Sequence, residues 1–246
     1  VRALALSVNL ITGMAFGAAI VYPPLFFEAV RGIDATRAGL LLAPFAVTSG
    51  LFTIVAGQVT DRIGGHTVVP AIGMVAVTGG MVALSTIDAS SSAARVVLCA
   101  MVCGLGIGLV MQTLLFVIQR FTSAADIGVA TSTEMLARLL GNSLGVAIVG
   151  TVFTNSLLRS VRDRLPEFPL SELQGSPTRI AALADEVRST VQSSFAEALA
   201  AGFRTMVPIL LIGFVCVLFI PARRVATRMS SAPEEVPLAD AVAHGM

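Results

Sequence analysis

Long apolar runs dominate this sequence of 246 residues. A transmembrane helix needs about 20 apolar residues, because each residue adds about 1.5 Å along the axis and the hydrocarbon layer is about 30 Å thick. Charged residues make up only 13% of the chain, against about 25% in soluble domains. We therefore predict an all-α membrane protein, folded as a bundle of six transmembrane helices that lie near residues 3–27, 38–58, 67–87, 96–118, 129–155 and 203–220.

Several functional classes fit this composition poorly. The net charge is only +1, so no basic surface indicates a nucleic-acid partner. The three cysteines lie in apolar runs and lack the spacing of metal ligands. With two histidines and no hydrolase motif, the chain also lacks the groups that an enzyme site needs. We expect no enzymatic activity, no metal and no bound cofactor.

One link between the predicted spans is long. Residues 156–202 begin with a polar, proline-containing part and then show apolar residues every three or four positions, at Ile180, Leu183, Val187, Val191, Phe195 and Leu199. This period predicts an amphipathic helix, which we expect to lie on the membrane surface or to cap the bundle. Residues 222–246 are rich in charged residues and proline, and we expect them to form a disordered tail.

A short charged segment joins the second and third predicted spans. It contains Gly57, Asp61, Arg62, Gly64 and Gly65, and we call residues 57–67 the gate loop. Its glycines allow a tight turn, and a carboxylate is favourable beside a helix N-terminus. These residues are compatible with two roles for the loop: a conformational latch, or a turn that only fixes the topology.

The spacing G57-x-x-x-D61-R62-x-G64-G65 resembles the loop signature of the major facilitator superfamily, although His66 stands where the family usually has Arg or Lys. In that family the loop links the second and third helices of each six-helix half on the cytoplasmic face. Residues 22–44 and 104–150 are similar to the second half of its fourteen-span drug:proton antiporter branch.

This resemblance implies a specific protein. Residues 1–221 would form the C-terminal half of a major facilitator fold, and residues 222–246 a cytoplasmic tail. The expected activity is proton-coupled efflux of drugs or other small amphipathic molecules across a bacterial plasma membrane, with both termini in the cytoplasm and a proton gradient as the energy source. The expected partners are the lipid bilayer, a small-molecule substrate and either a missing N-terminal half or a second copy.

The fifth span carries the most unusual polar residues for a membrane interior. Glu134, Arg138 and Asn142 follow at four-residue intervals and so share one helix face. Ionisable residues inside membranes are costly and commonly functional. The spacing lets Glu134 and Arg138 form an ion pair, and an acid on the missing half is the alternative partner of Arg138. In a functional role, Glu134 would exchange a proton and Arg138 would hold a carboxylate or an anionic substrate. The alternative is a purely structural pair.

Other polar side chains in the spans are single amides and hydroxyls. Gln112 and Tyr22, together with Asn9 and Thr12, either line a central cavity or make hydrogen bonds between helices. Close helix crossings are predicted where two glycines are four residues apart, at Gly13 and Gly17, Gly104 and Gly108, and Gly141 and Gly145. Two alternatives to a transporter remain: a structural or regulatory six-span protein, and a half-transporter that works only with a partner half.

Overall fold

The computed structural model describes residues 2–63, 67–120, 122–164 and 185–219. These residues form seven α-helices and one short 3-10 turn, Ala124–Asp126, and no strand occurs among them. The prediction of an all-helical chain is confirmed. The helices are α1 (Arg2–Ala29), α2 (Ala35–Leu41), α3 (Ala43–Ile63), α4 (Val68–Leu84), α5 (Ala93–Arg120), α6 (Ile127–Arg164) and α7 (Asp185–Leu218).

Five apolar stretches of the described helices are long enough to cross a membrane. They are Ala3–Ala29, Ala35–Thr60, Ala93–Gln119, Ile127–Arg164 and Val187–Leu218. The third predicted span corresponds to α4, which has 17 residues and is therefore only about 26 Å long. The six predicted spans thus correspond to five long apolar stretches and one shorter helix.

The second span is interrupted between α2 and α3. Pro44 has no backbone N–H, so it cannot make the hydrogen bond to the carbonyl of Leu40 that would continue α2. The N–H groups of Phe45 and Ala46 instead bond to the carbonyl of Leu42, at 3.0 and 3.4 Å. A proline near the start of α3 therefore explains why one predicted span is built from two helices.

Burial differs strongly among the helices. In the most apolar window of α1 and of α5, 61% of the residues are buried, whereas the value is 17% for α2–α3 and for α6. Helix α1 packs against α5, α6 and α7, and α5 packs against α3 and α4. Helices α1 and α5 therefore form the centre of the described bundle, while α3 and α6 keep wide exposed faces.

Helix α7 differs from the surface helix expected in the long link. Its first part, from Asp185 to Gly202, continues without a break into the last span. It packs against an extension of α6, where Phe153 and Phe195 have ring centroids 4.9 Å apart and Arg164 forms an ion pair with Glu197 at 2.8 Å. The apolar stripe thus has a protein partner, because α6 is long enough to reach beyond the hydrocarbon layer. Residues 165–184 and the predicted tail lie outside the described residues.

Candidate functional site

The closest approach between α1 and α6 depends on glycine from both helices. A Cβ atom at Gly13 would collide with the backbone oxygen of Arg138, and one at Gly141 with the backbone oxygen of Leu10. A Cβ atom at Gly145 would likewise collide with the backbone oxygen of Met14. Backbone atoms cannot move aside as a side chain can, so only glycine permits this crossing. The close crossings predicted from the glycine spacing of α1 and α6 are confirmed, and they are one and the same interface.

A buried carboxyl group lies in this interface. Glu134 of α6 is 5% exposed, and Asn9 of α1 is fully buried. The Nδ2 atom of Asn9 donates a hydrogen bond to Oε1 of Glu134. The other amide atom, Oδ1 of Asn9, is buried and has no hydrogen-bond partner. The pair is therefore only half satisfied, which is uncommon for buried polar groups.

Arg138 does not pair with Glu134, so the ion pair that the spacing allows is not formed. The structure shows no N–O distance within 4.0 Å between these two described side chains. The guanidinium Nη1 of Arg138 instead lies 3.8 Å from Sδ of Met111 on α5. A four-residue spacing places two residues on the same side of a helix, but Glu134 reaches α1 while Arg138 reaches α5. The choice between these neighbours depends on how the three helices pack.

Asn142 and Tyr22 lie further along the same α1–α6 interface. A Cβ atom at Gly17 would collide with the amide oxygen of Asn142. The hydroxyl of Tyr22 donates a 2.6 Å hydrogen bond to the backbone oxygen of Val146. The Tyr22 ring is 6.3 Å from that of Phe203 on α7. In this structure the contacts of Tyr22 are those of a residue that ties α1 to α6 and α7.

Gln112 lies on another side of the bundle. Its side chain approaches Gly57 of α3, since a Cβ atom at that glycine would be 3.8 Å from Cγ of Gln112. The structure thus brings Glu134, Asn142 and Tyr22 to one interface and places Gln112 at a different one. Asn9 makes a hydrogen bond between helices, which is one of the two roles expected for it, but nothing in a single amide on α1 shows that its partner is a carboxyl group on α6.

The gate loop is described only in part. Helix α3 continues through Asp61 and Arg62 to Ile63, so the first half of the glycine-containing pattern is helical. The side chains of Asp61 and Arg62, and all of Gly64 and Gly65, lie outside the described residues. The proposed latch contacts of this loop therefore stay a prediction.

A cavity of about 240 Å³ lies at the end of the bundle that contains the N-termini of α1 and α6. It is lined by Leu6 of α1, Ile118 of α5 and Ala130 and Thr133 of α6, with the exposed Asp126 also in its wall. Leu6 is about one helical turn before Asn9, and Ala130 is one turn before Glu134. The cavity therefore ends close to the buried pair.

Comparison with known proteins gives a consistent fold. No protein-family model matches the chain. An MFS-type (major facilitator) transporter of Mycobacterium tuberculosis is 28% identical over 94% of this chain and 32% of its own length. The multidrug transporter protein MdtP of Bacillus subtilis is 27% identical over 73% of this chain and 32% of its own length.

A solved structure shows the same arrangement of helices. It is the crystal structure of a bacterial homologue of the human lysosomal transporter Spinster, in an inward-facing and occupied conformation. The TM-score is 0.71 at 18% identity, over 94% of this chain and 51% of that chain. These similarities support a major facilitator fold. The chain spans about a third of the length of the curated relatives named above and about half of the solved transporter.

Proposed function

We propose that this chain is the C-terminal half of a proton-coupled efflux transporter of the fourteen-span branch, with the α1–α6 interface as a coupling site. The observation that carries the proposal is the buried Glu134 carboxyl, which has an amide partner and no cationic partner among the described side chains. A carboxyl group in a membrane interior is expensive to ionise, and proton relays use such groups. The relative named as a multidrug transporter supports drugs or other small molecules as the substrates.

The proposed partner is a further six-helix half, supplied by an N-terminal part or by a second copy. The exposed faces of α3 and α6 support this assembly, because they carry large apolar residues such as Leu51, Ile54, Leu136 and Leu140. Lipid accounts for apolar exposure as well, so the length of the solved transporter, about twice the matched region, is the second support. The proposed location is a bacterial plasma membrane, with both termini in the cytoplasm.

A transport assay with a matched carboxyl control tests the coupling role of Glu134. The full-length protein is reconstituted in vesicles, and drug efflux driven by a proton gradient is measured for Glu134→Gln and for Glu28→Gln, which changes a carboxyl at the other end of α1. We expect Glu134→Gln to lower efflux at least about ten-fold, because a neutral amide cannot release a proton. Glu28→Gln should transport like the wild type. Normal efflux by Glu134→Gln would overturn the coupling role.

The gate loop has its own test. Asp61→Asn should preserve folding, since Asp61 lies in the last turn of α3, where a negative charge gains nothing from the helix dipole. Transport should fall, because the inward-facing and outward-facing states of a transporter differ by only a few kcal/mol. Measurement of efflux and of the ratio of the two states by spin-label distances checks this. Wild-type values for both would leave the loop as a simple turn.

The competing hypothesis is a six-span protein that transports nothing by itself. Vesicles that contain only residues 1–246 should then show no substrate-dependent proton flux. Our proposal predicts the same result for this chain alone, but restored flux when the partner half is supplied. Failure of every added half to restore flux would support the competing hypothesis.

A further inference from the structure

The Asn9 side chain uses only part of its hydrogen-bonding capacity. Its Nδ2 atom donates to Glu134, while its Oδ1 atom is buried without a partner. Within the described part of the chain, only one other buried side-chain oxygen is in this position, the hydroxyl of Thr60. An unpartnered oxygen beside a carboxyl group is informative, because a carboxyl group changes its hydrogen-bonding character when it binds a proton.

The ionised and the neutral form of Glu134 can make different hydrogen bonds with the amide of Asn9. An ionised carboxylate only accepts hydrogen bonds, so it can pair with Nδ2 and never with Oδ1. A neutral carboxyl group carries one O–H donor and one carbonyl acceptor. An amide has the complementary donor and acceptor on one carbon atom. Neutral Glu134 can therefore accept from Nδ2 and donate to Oδ1 at the same time, which leaves no amide atom of Asn9 unpartnered.

The described charges around the pair are few. Helix α6 provides Arg138, whose guanidinium turns toward Met111 of α5, and the turn before α6 provides Asp126. Helix α4 contributes no ionisable group near the pair. The described charged side chains of the other helices packed around the pair lie toward the opposite end of the bundle; they are Glu28 of α1, Arg95 of α5, and Arg188, Glu197 and Arg204 of α7.

The cavity at the N-terminal ends of α1 and α6 lies between polar groups at the surface and the helical turns next to the pair. Its walls include Thr133 and Asp126, and Ala130 is one helical turn from Glu134. A volume of about 240 Å³ is large enough for several water molecules, since one occupies about 30 Å³ in the liquid. Water in this cavity would lead from the exposed Asp126 toward the buried carboxyl.

We propose that Asn9 and Glu134 together form a proton-binding site that is loaded through the α1–α5–α6 cavity. A proton from water at this end binds to one carboxylate oxygen of Glu134, and the resulting O–H donates to Oδ1 of Asn9. On release the proton returns to water, and no electrons are transferred. Asn9 is a positioning residue for the carboxyl group. The role of this site in efflux rests on the proposed function, whereas the loaded pair is a property of the folded protein.

Infrared difference spectroscopy of the full-length protein in lipid vesicles tests the pair without any transport. A carbonyl band of neutral Glu134 should appear on acidification and be missing in Glu134→Gln. In Asn9→Leu the band should move to higher frequency, because its carbonyl loses the hydrogen bond from the amide. The control Thr113→Val removes a buried hydroxyl that bonds only within α5, and should leave the band in place. If Asn9→Leu does not fold, Asn9→Ser gives the same comparison, since one hydroxyl cannot replace both amide groups.

The route is tested by filling the cavity. Ala130→Leu should slow the appearance of the band after a pH jump about ten-fold or more without moving its frequency. Ala147→Leu adds the same side chain at an exposed position of α6 and should leave the rate unchanged. A band frequency that is the same with and without Asn9 would overturn the pair, and an unchanged rate in Ala130→Leu would overturn the route. Efflux that does not depend on Glu134, in a protein with the expected band, would refute the proposed coupling and leave the proton site intact.

Discussion

The interfaces α1–α6 and α4–α5 are both close helix contacts made possible by glycine, but they contain different chemistry. A Cβ atom at Gly73 or Gly80 of α4 would lie 2.7 Å from Val110 Cγ2 or 2.5 Å from Cys103 Sγ of α5. The only described polar contact there is a 4.0 Å approach of the Cys103 thiol to the backbone oxygen of Val77. The α1–α6 interface adds a carboxyl group, an amide and a phenol to a similarly close approach.

This difference shows that a glycine contact alone does not mark a functional site. Helices in lipid gain little from the hydrophobic effect when they associate, so close van der Waals contact is one of the main forces that hold them together. The α4–α5 interface needs nothing more. A buried carboxyl group such as that of Glu134 costs free energy in the same surroundings. Close packing of two helices does not require such a group. Four predictions test how far the two interfaces differ.

The largest effect is expected from enlarging the glycines. Gly145→Ala should lower the free energy of unfolding by about 3 kcal/mol, because the new methyl group would press on the backbone of Met14. Gly80→Ala should cost less, about 1–2 kcal/mol, since its Cβ would lie 2.8 Å from the nearest backbone atom, N of Cys103, whereas the Cβ at Gly145 would lie closer still to the backbone oxygen of Met14. Thermal unfolding in detergent measures both. The control Gly79→Ala adds a methyl group in open space and should be neutral or stabilising. A greater loss in Gly80→Ala than in Gly145→Ala would reverse the comparison.

The next effect concerns coupling between side chains. A double-mutant cycle for Asn9→Leu and Glu134→Gln should give an interaction energy of about 1–2 kcal/mol, near the upper end for hydrogen bonds between membrane helices. The cycle for Glu134→Gln and Arg138→Gln should give less than about 0.5 kcal/mol, because these side chains contact different helices. Unfolding of the full-length protein in mixed micelles supplies the four free energies. Equal interaction energies in the two cycles would indicate that Glu134 and Arg138 form an ion pair, contrary to the structure.

A smaller effect is expected at the part of the α1–α6 interface that lies farther from Glu134. Tyr22→Phe removes the hydrogen bond to Val146 and preserves the ring contacts, so the loss should be about 0.6–1 kcal/mol. Thr78→Val on α4 is the matched control, because its hydroxyl bonds only to Met74 of the same helix. We expect a smaller change there and normal efflux in both variants. A large loss of efflux in Tyr22→Phe at normal stability would instead indicate contact with substrate.

The smallest effect concerns the turn between α4 and α5. Hydrogen bonds from Ser90 and Ser91 hold the pKa of Asp88 below its usual range. A carboxylate with a lowered pKa in the folded state stabilises the protein above its unfolded pKa of about 3.9, and this contribution is lost as the pH falls through the folded pKa. Asp88→Asn should therefore be slightly less stable than wild type at pH 7 and equal to it in strong acid. A stability difference that persists in strong acid would exclude the carboxylate as its cause.

Much of the fold could be predicted from the sequence. The lengths of the apolar runs predicted the helices because a bilayer of nearly constant thickness sets the length of a spanning helix. The glycine spacing predicted that α1 and α6 each allow a close crossing, since a residue without Cβ leaves a groove on a helix wherever it occurs. Both properties belong to a single segment, so they can be recognised without knowledge of its neighbours.

The site depended on tertiary structure. Asn9 and Glu134 are 125 residues apart, and only the packing of α1 on α6 makes them partners. The four-residue spacing of Glu134 and Arg138 correctly predicted that they share a helix face, but it did not predict their partners. Each side chain contacts the neighbouring helix nearest to it, which is α1 for Glu134 and α5 for Arg138. The apolar stripe of residues 185–202 likewise predicted a helix but not its place, since lipid and the extended α6 offer it similar apolar surfaces. The sequence alone determined which segments are helical and which faces are apolar, whereas tertiary structure decided which faces meet, because hydrogen bonds and burial depend on the distances between segments.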